Sequence, residues 1–140
     1  MDTVYVLMEE GWEYNDETYF HPESGGGTPH SFYTSLEKAQ VECDKRNLAS
    51  FKDLWKSGEI HDYCYGLDEL VSYDLSKNKG RKKTLSALLE KIFGKDFEEM
   101  TEIFYGRGDI EIESDSDEDW KALMSHIKLT FWEVVPVERG

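Results

Sequence analysis

Long apolar runs are absent from this 140-residue chain, cysteine is limited to Cys43 and Cys64, and thirty acidic residues outnumber sixteen Lys and Arg. Each shortage excludes something. The first apolar stretch, Val4 to Met8, has no basic segment before it and is far shorter than the roughly 20 residues of a membrane span. The expectation is a cytoplasmic protein with no membrane attachment. Two cysteines without a C-x-x-C pair are too few for a disulfide scaffold, which predicts buried thiols in a reducing compartment. A net charge of −14 repels phosphates and anionic lipid surfaces, so direct nucleic-acid binding is not expected.

Motifs for cofactors and catalysis are equally scarce. Gly25-Gly26-Gly27 lacks both the Gly-Lys-Ser/Thr ending of a phosphate loop and the spacing of a dinucleotide turn. His61 and Cys64 have a metal-like spacing but no second local pair to complete a tetrahedral site. Asp115, Asp117 and Asp119 open like a calcium loop, yet Trp120 stands where the sharp turn needs glycine and His126 where the loop needs a closing glutamate. No Ser/His/Asp or Cys/His motif nominates a catalytic group. No cofactor, metal or catalytic residue is therefore expected.

What is present is enough apolar and aromatic content, 39% and 14%, to pack one core, and residues 1–140 are expected to form a single α+β domain. Val4, Val6 and Met8 alternate with Tyr5 and Leu7, which suits a central strand covered on both faces near its middle. Trp12 and Tyr14 lead into an Asn15-Asp16 turn and Tyr19 and Phe20 lead out, a hairpin pattern. His21 to Ser31, dense in Gly and Pro, reads as a loop. Ile127 to Val137 has the composition of a final strand beside the N-terminal hairpin. The expected architecture is a small, mainly antiparallel sheet covered by several helices.

The helices follow from caps and spacing. Thr34 and Glu37 spell a capping box for a helix to about Arg46, with Asn47 as its stop, and Ser50 with Asp53 starts a short helix ending near Ser57-Gly58. Residues 60–75 are ambiguous and lean helical after Gly66. Ser76 to Lys83 reads as a polar loop, after which Thr84 caps a helix whose Leu85, Leu88, Leu89, Ile92 and Phe93 make one apolar stripe. Asp96 and Glu99 open the next helix. Asp109 to Glu113 alternates acid with isoleucine as an edge strand would, and Ser116 with Asp119 caps a last helix.

Charge is segregated along the chain. Residues 96–119 hold eleven acids and one base, and Asp109, Glu111, Glu113, Asp115, Asp117, Glu118 and Asp119 fall within eleven positions. Such crowding repels itself and is relieved by a basic partner. Lys77, Lys79, Arg81, Lys82 and Lys83 form an opposite, basic run that lacks the interleaved aromatics of a single-strand binding site. Trp12, Tyr14, Asn15 and Asp16 are a second binding candidate, since aromatics beside fixed polar groups are typical interface anchors.

These features predict a non-catalytic acidic module that binds a basic protein, in the manner of an inhibitor or immunity protein facing a nuclease or other nucleic-acid-binding partner. A small enzyme or ligand-binding domain, with its site between the N-terminal hairpin, the Gly-rich loop and His61, is the alternative.

Overall fold

The computed structural model describes residues 3–9, 12–14, 20–22 and 28–138, with backbone alone at 12–14, 20–22 and 28. The fold is α+β. Its chain divides into two compact units, residues 1–50 with 130–140, and residues 51–129.

In the first unit, β1 (Thr3–Glu9) lies between β4 (Thr28–Tyr33) and β5 (Trp132–Glu138), antiparallel to both. The register sets Val6 between Phe32 and Val135, and Leu7 between Ser31 and Val134. Val6 and Leu7 point to opposite faces yet are both buried, as a strand covered on both sides requires. β2 (Trp12–Tyr14) and β3 (Phe20–Pro22) pair antiparallel, Tyr14 opposite Phe20, while the Asn15-Asp16 turn expected between them lies outside the described residues.

β4 corrects the loop predicted for residues 21–31. Its Pro29 lies where β1 shifts register, between Leu7 and Met8, and an irregularity of that kind is where a strand tolerates proline. The predicted strand from Ile127 to Val137 also divides. Ile127 forms an isolated bridge with Val71, reinforced by Lys128 N–H to Leu70 O at 2.8 Å and Ser72 N–H to His126 O at 2.9 Å, and only the part from Trp132 joins β1.

Helix α1 (Leu36–Ser57) is one continuous helix of 22 residues where two were expected. Its cap is Ser35, whose Oγ accepts from Lys38 N–H, one residue later than predicted. Asn47 does not stop it, because that side chain is committed elsewhere. Its Oδ1 accepts the N–H groups of Phe131 (2.8 Å) and Trp132 (2.9 Å), and its Nδ2 donates to Trp132 O at 3.0 Å. The Arg46 guanidinium, paired with Glu42, lies 4.7 Å above the Trp132 ring. The stop comes at Gly58, left-handed at φ 79°, a conformation that costs glycine nothing.

The second unit is helical. A 3-10 turn (Glu59–Asp62) and short α2 (Leu67–Leu70) precede α3 (Lys79–Phe93), α4 (Phe97–Gly106) and α5 (Asp117–Met124). The basic run is thus no loop beyond Asn78. Lys and Arg are good helix formers, and Thr84, predicted as a cap, instead donates to Gly80 O inside the helix. The Asp96–Glu99 capping box forms as expected, each side chain bonded to the other's backbone N–H.

Trp55, Phe51, Phe93, Phe104 and Trp120 build the core of this unit. Trp55 stacks on Phe93 at 4.9 Å and meets Phe104 and Trp120 edge-on. Both cysteines are buried and no disulfide joins them. Among the described residues no helix is long and apolar enough to cross a membrane.

Candidate protein-binding surface

The acidic run leaves α4 through Arg107, whose left-handed φ of 51° turns the chain out of the helix. Residues 108–116 join no strand or helix, which corrects the edge strand predicted at 109–113. The alternation is real: Asp109, Glu111 and Glu113 are exposed while Ile110 and Ile112 are half-buried. What differs is the backbone partner. Glu113 and Ser114 N–H donate to Ile92 O, at 2.7 and 3.3 Å, serving a carbonyl of the last turn of α3 that would otherwise lack an intrahelical partner.

The far half of the run is fastened by lysines. Lys52 Nζ, its side chain only 13% exposed, reaches Asp117 Oδ1 at 2.6 Å and Asp115 Oδ1 at 3.4 Å, and donates to Asp115 O at 3.0 Å. Lys56 adds a 3.0 Å pair with Asp115. Asp119, 6% exposed, binds Lys91 at 2.9 Å and accepts from Ser114 Oγ at 2.9 Å. The indole N–H of Trp120 donates to Ser114 O at 2.9 Å. Three acids also favour the N-terminus of α5 through the helix dipole.

The predicted group therefore separates by role. Asp115, Asp117 and Asp119 are partly neutralised within the unit and hold its chain in place. Among the described residues no ion pair engages Asp109, Glu111, Glu113 or Glu118. Exposure alternates from Asp109 through half-buried Ile110, exposed Glu111 and half-buried Ile112 to exposed Glu113, so the three carboxylates form an outward row on a segment anchored at Glu113 and Ser114. The Glu113 carboxylate packs on Gly94, where an added Cβ would meet it at 2.6 Å.

Lysine contacts hold the carboxyl groups of Asp115, Asp117 and Asp119 below the usual range, chiefly through hydrogen bonds from Lys56, Lys52 and Lys91 respectively. Carboxylates depressed by folding contribute stability that is complete above their unfolded values and is lost as pH falls through the folded ones. His126 adds to the same trend. Burial first, then the Arg81 charge, depresses it, so protonation favours the unfolded chain as pH drops below about 6.5. Stability should fall in two stages, first near pH 6 and again below about pH 4. Urea titrations at stepped pH, with His126→Gln removing only the first stage, check this.

Other candidates fall as follows. Of the second binding group, Trp12 and Tyr14 are placed by backbone only, in β2, and Asn15 and Asp16 lie outside the described residues. Gly25 to Gly27 do too, and with them most of the alternative ligand site. His61 is buried, with Nε2 2.8 Å from Gly108 O and its ring edge-on to Phe104. Its Nδ1 is buried with no partner among the described residues. Burial pushes the Cys64 thiol up to about 12, helped by Glu69 and Asp68, which leaves almost no thiolate at neutral pH. Among the described residues no group of three or more His, Cys, Asp or Glu is placed to hold a metal ion.

No protein-family model, curated protein or solved structure matches the chain.

Sequence reasoning missed the lysine clamps, because Lys52 and Lys56 lie more than fifty residues before their partners. It also passed over Tyr65 and Tyr105, two exposed rings 5.3 Å apart.

Proposed function

We propose that this protein is a non-catalytic binding module that presents an acidic surface to a basic protein, of the kind an inhibitor or immunity protein offers to a nucleic-acid-binding or nuclease partner. The observation that carries it is the anchored row of exposed carboxylates at Asp109, Glu111 and Glu113. Anchoring matters because a fixed row loses little conformational entropy on binding. Charge of one sign on that row attracts a basic partner and accelerates its association, an effect that salt screens.

The test separates display from scaffolding. Affinity capture from native lysate at low and high salt first identifies basic proteins retained only at low salt. Asp109→Asn/Glu111→Gln/Glu113→Gln is expected to slow association with that partner about tenfold while leaving the melting temperature nearly unchanged. Unchanged association kinetics in this variant would overturn the assignment. Neutralising Asp115, Asp117 and Asp119 makes a poorer probe, because it also releases the lysine clamps.

A further inference from the structure

Two stretches of the second unit contain no lysine or arginine, residues 57–76 and 96–106, and each contributes one ring of an exposed aromatic pair. Tyr65, just before α2, is 56% exposed and Tyr105, in the last turn of α4, is 50% exposed. Their ring centroids lie 5.3 Å apart at 58°. Aromatic rings at the surface beside fixed polar groups serve as interface anchors.

Carboxylates frame them. Glu69 Oε2 accepts the Tyr65 backbone N–H at 3.0 Å. At Gly66 a Cβ would stand 2.7 Å from Asp68 Oδ1 and 3.1 Å from the Tyr105 ring, so that carboxylate and that ring both border the space glycine leaves open. Glu102 precedes Tyr105 by three residues, on the same side of α4. Arg107, two residues after Tyr105, is already engaged with Asp62 at 2.9 Å and His61 O at 3.0 Å. Burial is the main reason the Cys64 thiol and the Tyr63 phenol are raised, with Glu69 and Asp68 adding to the first, against Arg107, and Glu59 and Asp62 adding to the second.

We propose that Tyr65 and Tyr105, with Asp68 and Glu69, form a docking subsite for an arginine side chain of the basic partner. This step rests on the acidic-surface reading and names the residue type that the surface selects. A guanidinium is planar, stacks on aromatic faces and carries donors for flanking carboxylates, whereas an ammonium is more strongly hydrated and does not stack. Within the chain the arginines lie nearer the rings they cover, Arg81 at 3.8 Å from Tyr73 and Arg46 at 4.7 Å from Trp132, than Lys82 does at 5.1 Å from Phe97. A second copy of this chain is a poor occupant, because each copy carries a charge of −14. In sequence the row of carboxylates begins at Asp109, four residues after Tyr105.

The probes are fluorescein-labelled Arg-Gly, Lys-Gly and Ser-Gly repeat peptides of equal length, titrated into the full chain at low salt by fluorescence anisotropy. The Arg-Gly peptide is expected to bind at least about threefold more tightly than the Lys-Gly peptide, and the Ser-Gly peptide not at all. Tyr65→Leu/Tyr105→Leu keeps apolar bulk but removes the π-faces and should bring Arg-Gly binding down to the Lys-Gly level. Asp109→Asn/Glu111→Gln/Glu113→Gln should weaken both basic peptides together. Tyrosine ring proton shifts in the unmodified protein give a second measurement, moving with Arg-Gly and far less with Lys-Gly, which holds even if the leucine variant fails to fold. Equal binding of both basic peptides with unmoved tyrosine resonances would overturn the subsite and leave the acidic surface standing. No binding of either would overturn both.

Discussion

Alanine at Trp55 should destabilise the second unit by about 3–5 kcal/mol. Trp55 is fully buried and its ring is the hub of the aromatic core, with Phe51, Phe93, Phe104 and Trp120 all within 6.5 Å. Four aromatic neighbours around one site cannot all collapse into the space left, so a cavity term adds to the lost transfer energy. A small domain has about 5–15 kcal/mol in all. Urea unfolding followed by far-ultraviolet circular dichroism will measure the loss as a lower midpoint at a similar slope. Trp55→Phe should cost less than half as much. It restores part of the volume and deletes an indole N–H that is buried without a partner among the described residues, a group that is costly to keep.

Asn47→Ala should cost the first unit about 2–4 kcal/mol. One buried amide accepts two backbone N–H groups and donates to one carbonyl at the entry to β5. Without it, three backbone groups of Phe131 and Trp132 need water in a part-buried place. Asn47→Leu distinguishes shape from hydrogen bonding, because it refills the volume but satisfies none of those groups, and its cost should stay close to that of alanine. Denaturant midpoints of the three proteins settle this, and equal stability of Asn47→Leu and the parent protein would contradict the role assigned to the amide.

The same asparagine explains where sequence reasoning failed. Asparagine tolerates the left-handed conformation and so signals a helix stop, but the signal is local and the bonds that override it lie 84 and 85 residues away. β4 was hidden for a related reason, since its strand identity comes from pairing with β1 while its flanks are rich in Gly and Pro. The Asp96–Glu99 box and the apolar stripe around Leu85, Leu89, Ile92 and Phe93 were legible because everything that creates them lies within one or two helical turns.

The candidate surface was half legible. Charge is a property of composition, so the acidic run stood out at once, and its alternation with isoleucine correctly forecast which side chains face outward. Which acids are anchors was not legible, because Lys52, Lys56 and Lys91 come from other elements. Nor was a strand ladder decidable from alternation alone. Period two describes extended chain, and hydrogen bonds to a neighbouring strand must come from somewhere else; here the donors of Glu113 and Ser114 go to a helix end.

The two buried thiols give the protein a built-in pair of clocks. Cys43 belongs to the first unit and Cys64 to the second, and a thiol shut away from solvent meets an alkylating reagent only when its surroundings open. The rate at which each becomes labelled under native conditions therefore records how often the surroundings of that thiol open, and mass spectrometry of the two peptides reads both records from one sample.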